Sequence, residues 1–169
     1  QRLDDLLRRP RTRAKASAGK PRAVINVNFS YGVLADKRDR WLADVISQCE
    51  KSGYEVILSR HIADSGTLHG HQASRMPLYD LLETADVFVS RFSGAILEAL
   101  VLGANVIYYN PQTEKIDKFN EPLGAYLAAE SPLALGEALR KFRSGHRCDP
   151  AAFLALHCSI PDERRRAAE

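Results

Sequence analysis

Hydrophobic residues follow two alternating patterns from residue 23 onward. Short apolar runs, rich in β-branched residues, predict buried strands at residues 23–29, 54–59, 86–90 and 105–110, and a shorter run predicts a fifth strand at 125–129. These runs are continuous rather than alternating, which is typical of strands in a parallel sheet covered on both faces.

The segments between the strands predict helices. Trp41, Leu42, Val45, Ile46 and Cys49 recur at helical spacing, after a predicted cap at Asp36 and before a predicted stop at Gly53. Further helices are predicted at 76–85, at 94–103, at 131–142 (with Ser131 as cap and Pro132 in the first turn), at 151–157 and at 161–168. Strands that alternate with helices predict an α/β fold, a Rossmann-like three-layer doubly wound parallel sheet.

Three sequence regions are expected. Residues 1–21 are predicted to form a basic linker or interdomain segment, and residues 22–145 are predicted to form the α/β domain. Residues 146–169 are predicted to form closing C-terminal helices. The sequence shows no signal peptide and begins with Gln1 rather than Met, so a piece of a longer protein and a mature end both stay open.

Composition narrows the function classes. The 169 residues are 45% hydrophobic and 27% charged, with a formal net charge of +3. Basic residues cluster at 8–22 and 164–166 without interleaved aromatics, which does not favour nucleic-acid binding. The three cysteines are scattered and form no C-x-x-C pair, which indicates a reducing compartment and predicts a cytoplasmic protein.

Ligands of doubly wound folds bind at the carboxyl ends of the strands, so the loops that follow the strands hold the candidate residues. Ser30 and Gly32 follow the first strand, which lacks a G-x-G-x-x-G fingerprint. Arg60 and His61 end the second strand and can meet an anion, and Asn110 follows the fourth. His69 and His71 form an H-x-H pair, but a third ligand at suitable spacing is missing, so no metal is expected.

The third strand leads into the segment SRFSGAILEALVLG, where Glu98 interrupts an apolar helix. Ser93, Gly94 and Ala95 predict a helix start whose amides can bind phosphate, with Arg91 beside it. A buried carboxylate needs partners. Glu98 therefore faces either ligand hydroxyls, such as those of a ribose, or an internal arginine or backbone N–H groups.

These residues resemble the C-terminal, nucleotide-sugar-binding half of GT-B glycosyltransferases, including capsule polysaccharide transferases. The resemblance rests on Ser93-Gly94, on Glu98 and on the connection at residues 102–107, and it covers residues 21–169. It departs from relatives that have a proline where this chain has Asn105, and from those with a His-Pro pair, because Ile62 follows His61. Ala95 and Ala99 stand where nonhydrolysing nucleotide-sugar 2-epimerases have a second glycine and a paired glutamate.

The resemblance implies a donor-nucleotide-binding domain of a metal-independent glycosyltransferase in surface polysaccharide or glycoconjugate synthesis. It implies that the nucleotide-sugar donor is a substrate, with no cofactor and no metal, and that the isolated chain is inactive. Implied partners are a sugar or glycan acceptor, an N-terminal domain of the same protein and peripheral contact with a membrane. The resemblance implies that the phosphate binds Ser93, Gly94, Ala95, Arg91 and either Arg60 or His61. It implies that the ribose binds Glu98. A 2-epimerase-like enzyme and a non-catalytic Rossmann-like module stay open as alternatives.

Overall fold

The computed structural model describes residues 19–29, 32 and 34–158. Five parallel strands form one sheet in the order β2-β1-β3-β4-β5. The strands are β1 (Arg22–Val27), β2 (Glu55–Arg60), β3 (Val87–Ser90), β4 (Asn105–Tyr109) and β5 (Leu127–Ala129). The helices are α1 (Arg38–Lys51), α2 (Leu78–Thr84), α3 (Ala95–Val101), α4 (Pro132–Arg143) and α5 (Ala151–His157), with short 3-10 turns at Ala35–Lys37 and Asp117–Phe119.

Helices cover both faces of the sheet, as the continuous apolar strands predict. On one face α2, α3 and α5 pack over Val24, Phe88 and Val106. On the other face α1 and α4 pack over residues that point the opposite way from the same strands, among them Ile25 and Ile107. The α/β three-layer prediction is therefore confirmed.

The strand order changes direction at β1: β2 is added on one side of β1, and β3, β4 and β5 follow on the other side. Ile25 pairs with Leu58 of β2 on one side and with Val89 of β3 on the other. The connections on the two sides run in opposite directions, which opens a crevice at the carboxyl ends of β1 and β3. Ligands of open α/β sheets bind at such a point.

The helix ends partly match the sequence predictions. Gly53 has a φ of 78° and follows the C-cap of α1, and the Ser131 hydroxyl accepts a hydrogen bond from the Ala134 N–H before α4, so both predictions are confirmed. The predicted Asp36 cap is wrong. Asp36 lies inside a 3-10 turn and pairs with Lys37, and α1 starts at Arg38 without a side-chain cap.

The described part of the chain ends at Cys158, so the predicted helix at 161–168 and the basic N-terminal segment before residue 19 lie outside it. All three cysteines are free. Within the described ranges no helix has the length and apolar character needed to cross a bilayer.

Candidate functional site

Asn26 links the loops at the crevice between β1 and β3. Its side-chain amide donates to the hydroxyls of Ser90 at 3.1 Å and Ser93 at 3.3 Å. Asn26 and Ser90 are buried, so this polar contact lies in the core beneath the crevice. Because a buried amide needs partners, Asn26 fixes the turn that follows β3.

The turn before α3 is tighter than the sequence predicts. The Ser93 hydroxyl accepts from the Ala95 N–H at 3.2 Å. The Ile96 N–H donates to the Ser93 carbonyl and the Leu97 N–H to the Gly94 carbonyl. Three first-turn amides therefore have partners inside the turn. Gly94 is exposed, and a Cβ added to it would meet no atom within 4 Å, so space is open above this turn.

Glu98 is half-buried, and its carboxylate accepts a hydrogen bond from a residue that the sequence does not identify. The Tyr79 hydroxyl, from α2, donates to Glu98 Oε1 at 2.9 Å. Burial raises the pKa of Tyr79, and the hydrogen bond to Glu98 raises it further. Among residues 19–29, 32 and 34–158 no cation pairs with this carboxylate. The carboxylate is held by one neutral donor and keeps capacity to accept further hydrogen bonds.

Arg91 is the point where the loops after β1, β3 and β4 meet. Its side chain is buried, and its guanidinium lies 4.4 Å from the ring centroids of both Phe29 and Phe92. Glu114 approaches its Nη2 with both oxygens, at 3.2 and 3.3 Å. The cation predicted beside the Ser93 turn is thus present there, but a carboxylate of the same chain already contacts it.

Asn110 holds the segment that carries Glu114. Its Nδ2 donates to the Glu114 carbonyl at 2.9 Å, and its Oδ1 accepts from the Glu114 N–H at 3.1 Å. Asn110 is buried, so it acts here as a clamp on the loop after β4. The intervening Thr113 has a φ of 53°, in the left-handed region that a β-branched residue rarely adopts.

A cavity of about 230 Å³ lies between this loop and β5. Its lining includes Tyr108, Glu114, Lys115, Asn120 and Glu130, although apolar atoms make up more of its surface than polar atoms do. The hydroxyl of Tyr108 is buried and makes no hydrogen bond within the described residues.

Arg60 and His61 end β2 as predicted, and both are engaged locally. Arg60 donates to the Asp64 carbonyl at 2.7 Å, to the Asp64 carboxylate at 3.1 Å and to the Gly66 carbonyl at 3.0 Å. The His61 Nδ1 accepts from the Ala63 N–H at 3.2 Å. Arg38 binds the same Asp64 carboxylate from α1. Sequence reasoning missed Arg38 and Asp64, because neither lies in a recognisable motif.

The remaining candidates are not drawn together. Gly32 is exposed with a φ of 75°, and Ser30 lies outside the described residues. The rings of His69 and His71 contact different groups, the Asp39 carbonyl and the Glu50 carboxylate. In the part of the chain that the structure describes, no group of three or more His, Cys, Asp or Glu residues is placed to hold a metal ion.

Solved structures of GT-B glycosyltransferases share this fold. A variant of the wall teichoic acid polymerase TagF matches 90% of the chain with 16% identity and a TM-score of 0.51. The glycotransferase of kitacinnamycin matches 85% with 20% identity and a TM-score of 0.52. The chain spans 42% and 39% of those two proteins, which is consistent with a single domain. No protein-family model and no curated protein sequence matches the chain.

Proposed function

We propose that the chain is the donor-nucleotide-binding domain of a metal-independent glycosyltransferase in surface polysaccharide or glycoconjugate synthesis. One observation carries the proposal. Glu98 lies one helical turn beyond the open space at Gly94, on the helix that follows β3, and the neutral Tyr79 hydroxyl is the only hydrogen-bond donor to its carboxylate among the described residues. A carboxylate with spare acceptor capacity suits the adjacent hydroxyls of a ribose.

The phosphates of the donor would lie over Ser93, Gly94 and Ala95, with Arg91 supplying positive charge and His61 a ring N–H donor at Nε2, since its Nδ1 accepts from Ala63. Negative charge grows on the leaving phosphate as the sugar departs, and hydrogen-bond donors and positive charge placed around that phosphate would stabilise it. Arg60 would act through the loop that it orders rather than by direct contact, since its guanidinium is occupied by Asp64 and Gly66. The acceptor and the general base would come from another domain of the same protein.

The names of the two structural neighbours support the pathway that we propose. One is a wall teichoic acid polymerase and the other a glycotransferase of kitacinnamycin. We propose a chemistry of the same general kind here, the transfer of a group from a nucleotide-activated donor to a glycan or other acceptor.

A non-catalytic module is the second candidate, and one observation favours it. The cations at the carboxyl ends of β2 and β3, Arg60 and Arg91, are already contacted by carboxylates of the chain, Asp64 and Glu114. A domain that has lost its ligand would show such internal pairing, because a buried charge needs a counter-ion.

Calorimetric titration of the chain with UDP, CMP, CDP, GDP and ADP, with and without Mg²⁺, tests the proposal. We expect one of these nucleotides to bind equally well without the metal, and Glu98→Ala to weaken it by about tenfold or more. Glu137→Ala removes a carboxylate from the exposed face of α4 and serves as the matched control. Binding that is unchanged in Glu98→Ala would refute the role of Glu98, and no binding by any nucleotide would favour the non-catalytic module.

A further inference from the structure

The hydroxyl of Tyr108 is the unexplained polar group of this edge of the sheet. Its residue is 4% exposed, and its oxygen has no hydrogen-bond partner among the described residues. Burial raises the pKa of Tyr108 to about 12, and the nearby charge of Glu114 contributes in the same direction. The hydroxyl therefore keeps its proton at neutral pH and is a donor without an acceptor. Such a group in a folded protein calls for a reason.

The cavity of about 230 Å³ beside β5 supplies the space for a missing acceptor. Tyr108 and Glu114 both line it, and the carboxylate is near enough for its charge to contribute to the raised pKa of Tyr108. A cavity of this size that is lined in part by polar groups can hold water. A side-chain carboxylate that already borders the cavity can enter it as well, by rotation about its own bonds.

Glu114 is not held on Arg91 by an optimal contact. Both of its oxygens approach the same nitrogen, Nη2, at 3.2 and 3.3 Å. Charge-assisted hydrogen bonds between a guanidinium and a carboxylate are about 2.7–2.9 Å long, and the strong ones use two nitrogens in parallel. The strained backbone at Thr113 precedes Glu114 directly.

We propose that Glu114 is an internal competitor for the ligand's phosphate at Arg91 and moves to the Tyr108 hydroxyl when the phosphate binds. The inference rests on the proposed function, since it needs a phosphate at Arg91. In the ligand-free protein Glu114 neutralises the buried guanidinium. When the phosphate replaces it, the carboxylate turns into the cavity and accepts the hydrogen bond that Tyr108 has to offer. Without that acceptance, a displaced carboxylate would stay poorly solvated and would oppose binding.

This arrangement makes Glu114 a specificity-determining residue. A ligand must carry enough negative charge to displace a carboxylate, so a diphosphate should bind more tightly than a neutral analogue of the same shape. The competitor role also explains why Arg91, the cation predicted beside the Ser93 turn, already contacts Glu114.

Titration of four forms of the chain tests the inference: wild type, Glu114→Gln, Tyr108→Phe and the double variant. The probes are inorganic pyrophosphate and the nucleoside diphosphates UDP, CDP, GDP and ADP. We expect Glu114→Gln to bind a diphosphate about tenfold more tightly, because the competing charge is gone. We expect Tyr108→Phe to weaken binding several-fold in the wild-type background and to have no effect in the Glu114→Gln background, a coupling that a purely structural role would not produce. Glu121→Gln removes the same charge from an exposed site in the same loop and should change nothing.

The outcomes separate the two proposals. Diphosphate binding that Glu114→Gln leaves unchanged or weakens would overturn the competitor role and leave the proposed function standing. Equal effects of Tyr108→Phe in both backgrounds would overturn the movement of Glu114 to Tyr108. Binding of no probe by any of the four forms, with thermal unfolding showing that all are folded, would overturn the proposed function and this inference with it.

Discussion

Arg38 and Asp64 form a two-point ion pair in which Nε and Nη2 of the arginine each lie 2.6 Å from a carboxylate oxygen. Both side chains are almost fully buried. Arg60 reaches the same carboxylate, and Arg38 also donates to the Thr67 carbonyl. The pair therefore joins α1 to the loop that follows β2 and fixes that loop beside the candidate site.

Asp64→Asn should strongly destabilise the fold. The substitution leaves the buried Arg38 with only the exposed carboxylate of Asp39 and weakens the contact to Arg60. The loss of one partner of a buried pair costs up to about 3–5 kcal/mol. Urea unfolding followed by circular dichroism measures this change. The control is Asp36→Asn, which breaks an exposed pair with Lys37 and should leave the midpoint in place. A midpoint for Asp64→Asn equal to that of the wild type would show that the pair does not stabilise the loop.

Gly66→Ala tests the same region by packing alone. A Cβ at Gly66 would overlap the guanidinium of Arg38, whereas a Cβ at Gly94 would meet nothing. We expect Gly66→Ala to lower the free energy of unfolding by about 1–3 kcal/mol, because the guanidinium can move away only by giving up its hydrogen bonds to Asp64 and Thr67. Gly94→Ala should leave stability unchanged or slightly raised. Similar unfolding midpoints for the two variants would contradict the packing described for Arg38.

The central part of the fold could be predicted from sequence because its signals are local. The buried strands and the apolar face of α1 are visible as continuous or periodic runs, and Gly53 and Ser131 mark helix ends by their own chemistry. The partners of the charged residues could not be predicted. Asp64 and Glu114 come from irregular loops, whose course depends on tertiary contacts rather than on a repeating pattern.

The position of a residue was therefore easier to predict than its contacts. Arg91 lies at the carboxyl end of β3, as the sequence indicates, but its contact with Glu114 depends on how the Asn110 clamp shapes the next loop. Glu98 was expected to meet an arginine, backbone N–H groups or a ligand, and Tyr79 is its partner because α2 packs beside α3 in the same core.

Two buried tyrosines should respond differently to loss of the hydroxyl. Tyr126 donates to the Phe119 carbonyl at 2.8 Å, so Tyr126→Phe should cost about 1 kcal/mol. Tyr108 has no partner among the described residues, so Tyr108→Phe should stay within about 0.5 kcal/mol of the wild type or exceed it. Chemical unfolding of the two variants, which remove the same atom from neighbouring rings, gives a direct comparison. An equal loss in both would show that the Tyr108 hydroxyl is satisfied in solution.

Alkaline pH should weaken the fold through buried tyrosine hydroxyls. Burial raises the pKa of Tyr54 and of Tyr108 to about 12, above the value of 10.0 for an unperturbed tyrosine. Between these values the unfolded chain has released the proton and the folded chain has kept it, so stability is full below about pH 10 and falls as pH rises toward 12. Urea midpoints measured across this window should fall less steeply in Tyr108→Phe. A slope equal to that of the wild type would contradict the raised pKa of Tyr108.

Tyr79→Phe tests whether the orientation of Glu98 matters for a ligand. The variant keeps the ring in the core and removes only the hydroxyl that donates to Glu98 Oε1, so we expect a folded protein that has lost about 1 kcal/mol of stability or less. If Glu98 binds a ribose, its carboxylate becomes freer to rotate, and nucleotide affinity should fall several-fold. The double variant Tyr79→Phe, Glu98→Gln supplies the control, because the tyrosine should matter little once the carboxylate is gone. Calorimetry gives the affinities, and an effect of Tyr79→Phe that is equally large in the Glu98→Gln background would show that Tyr79 acts through packing rather than through Glu98.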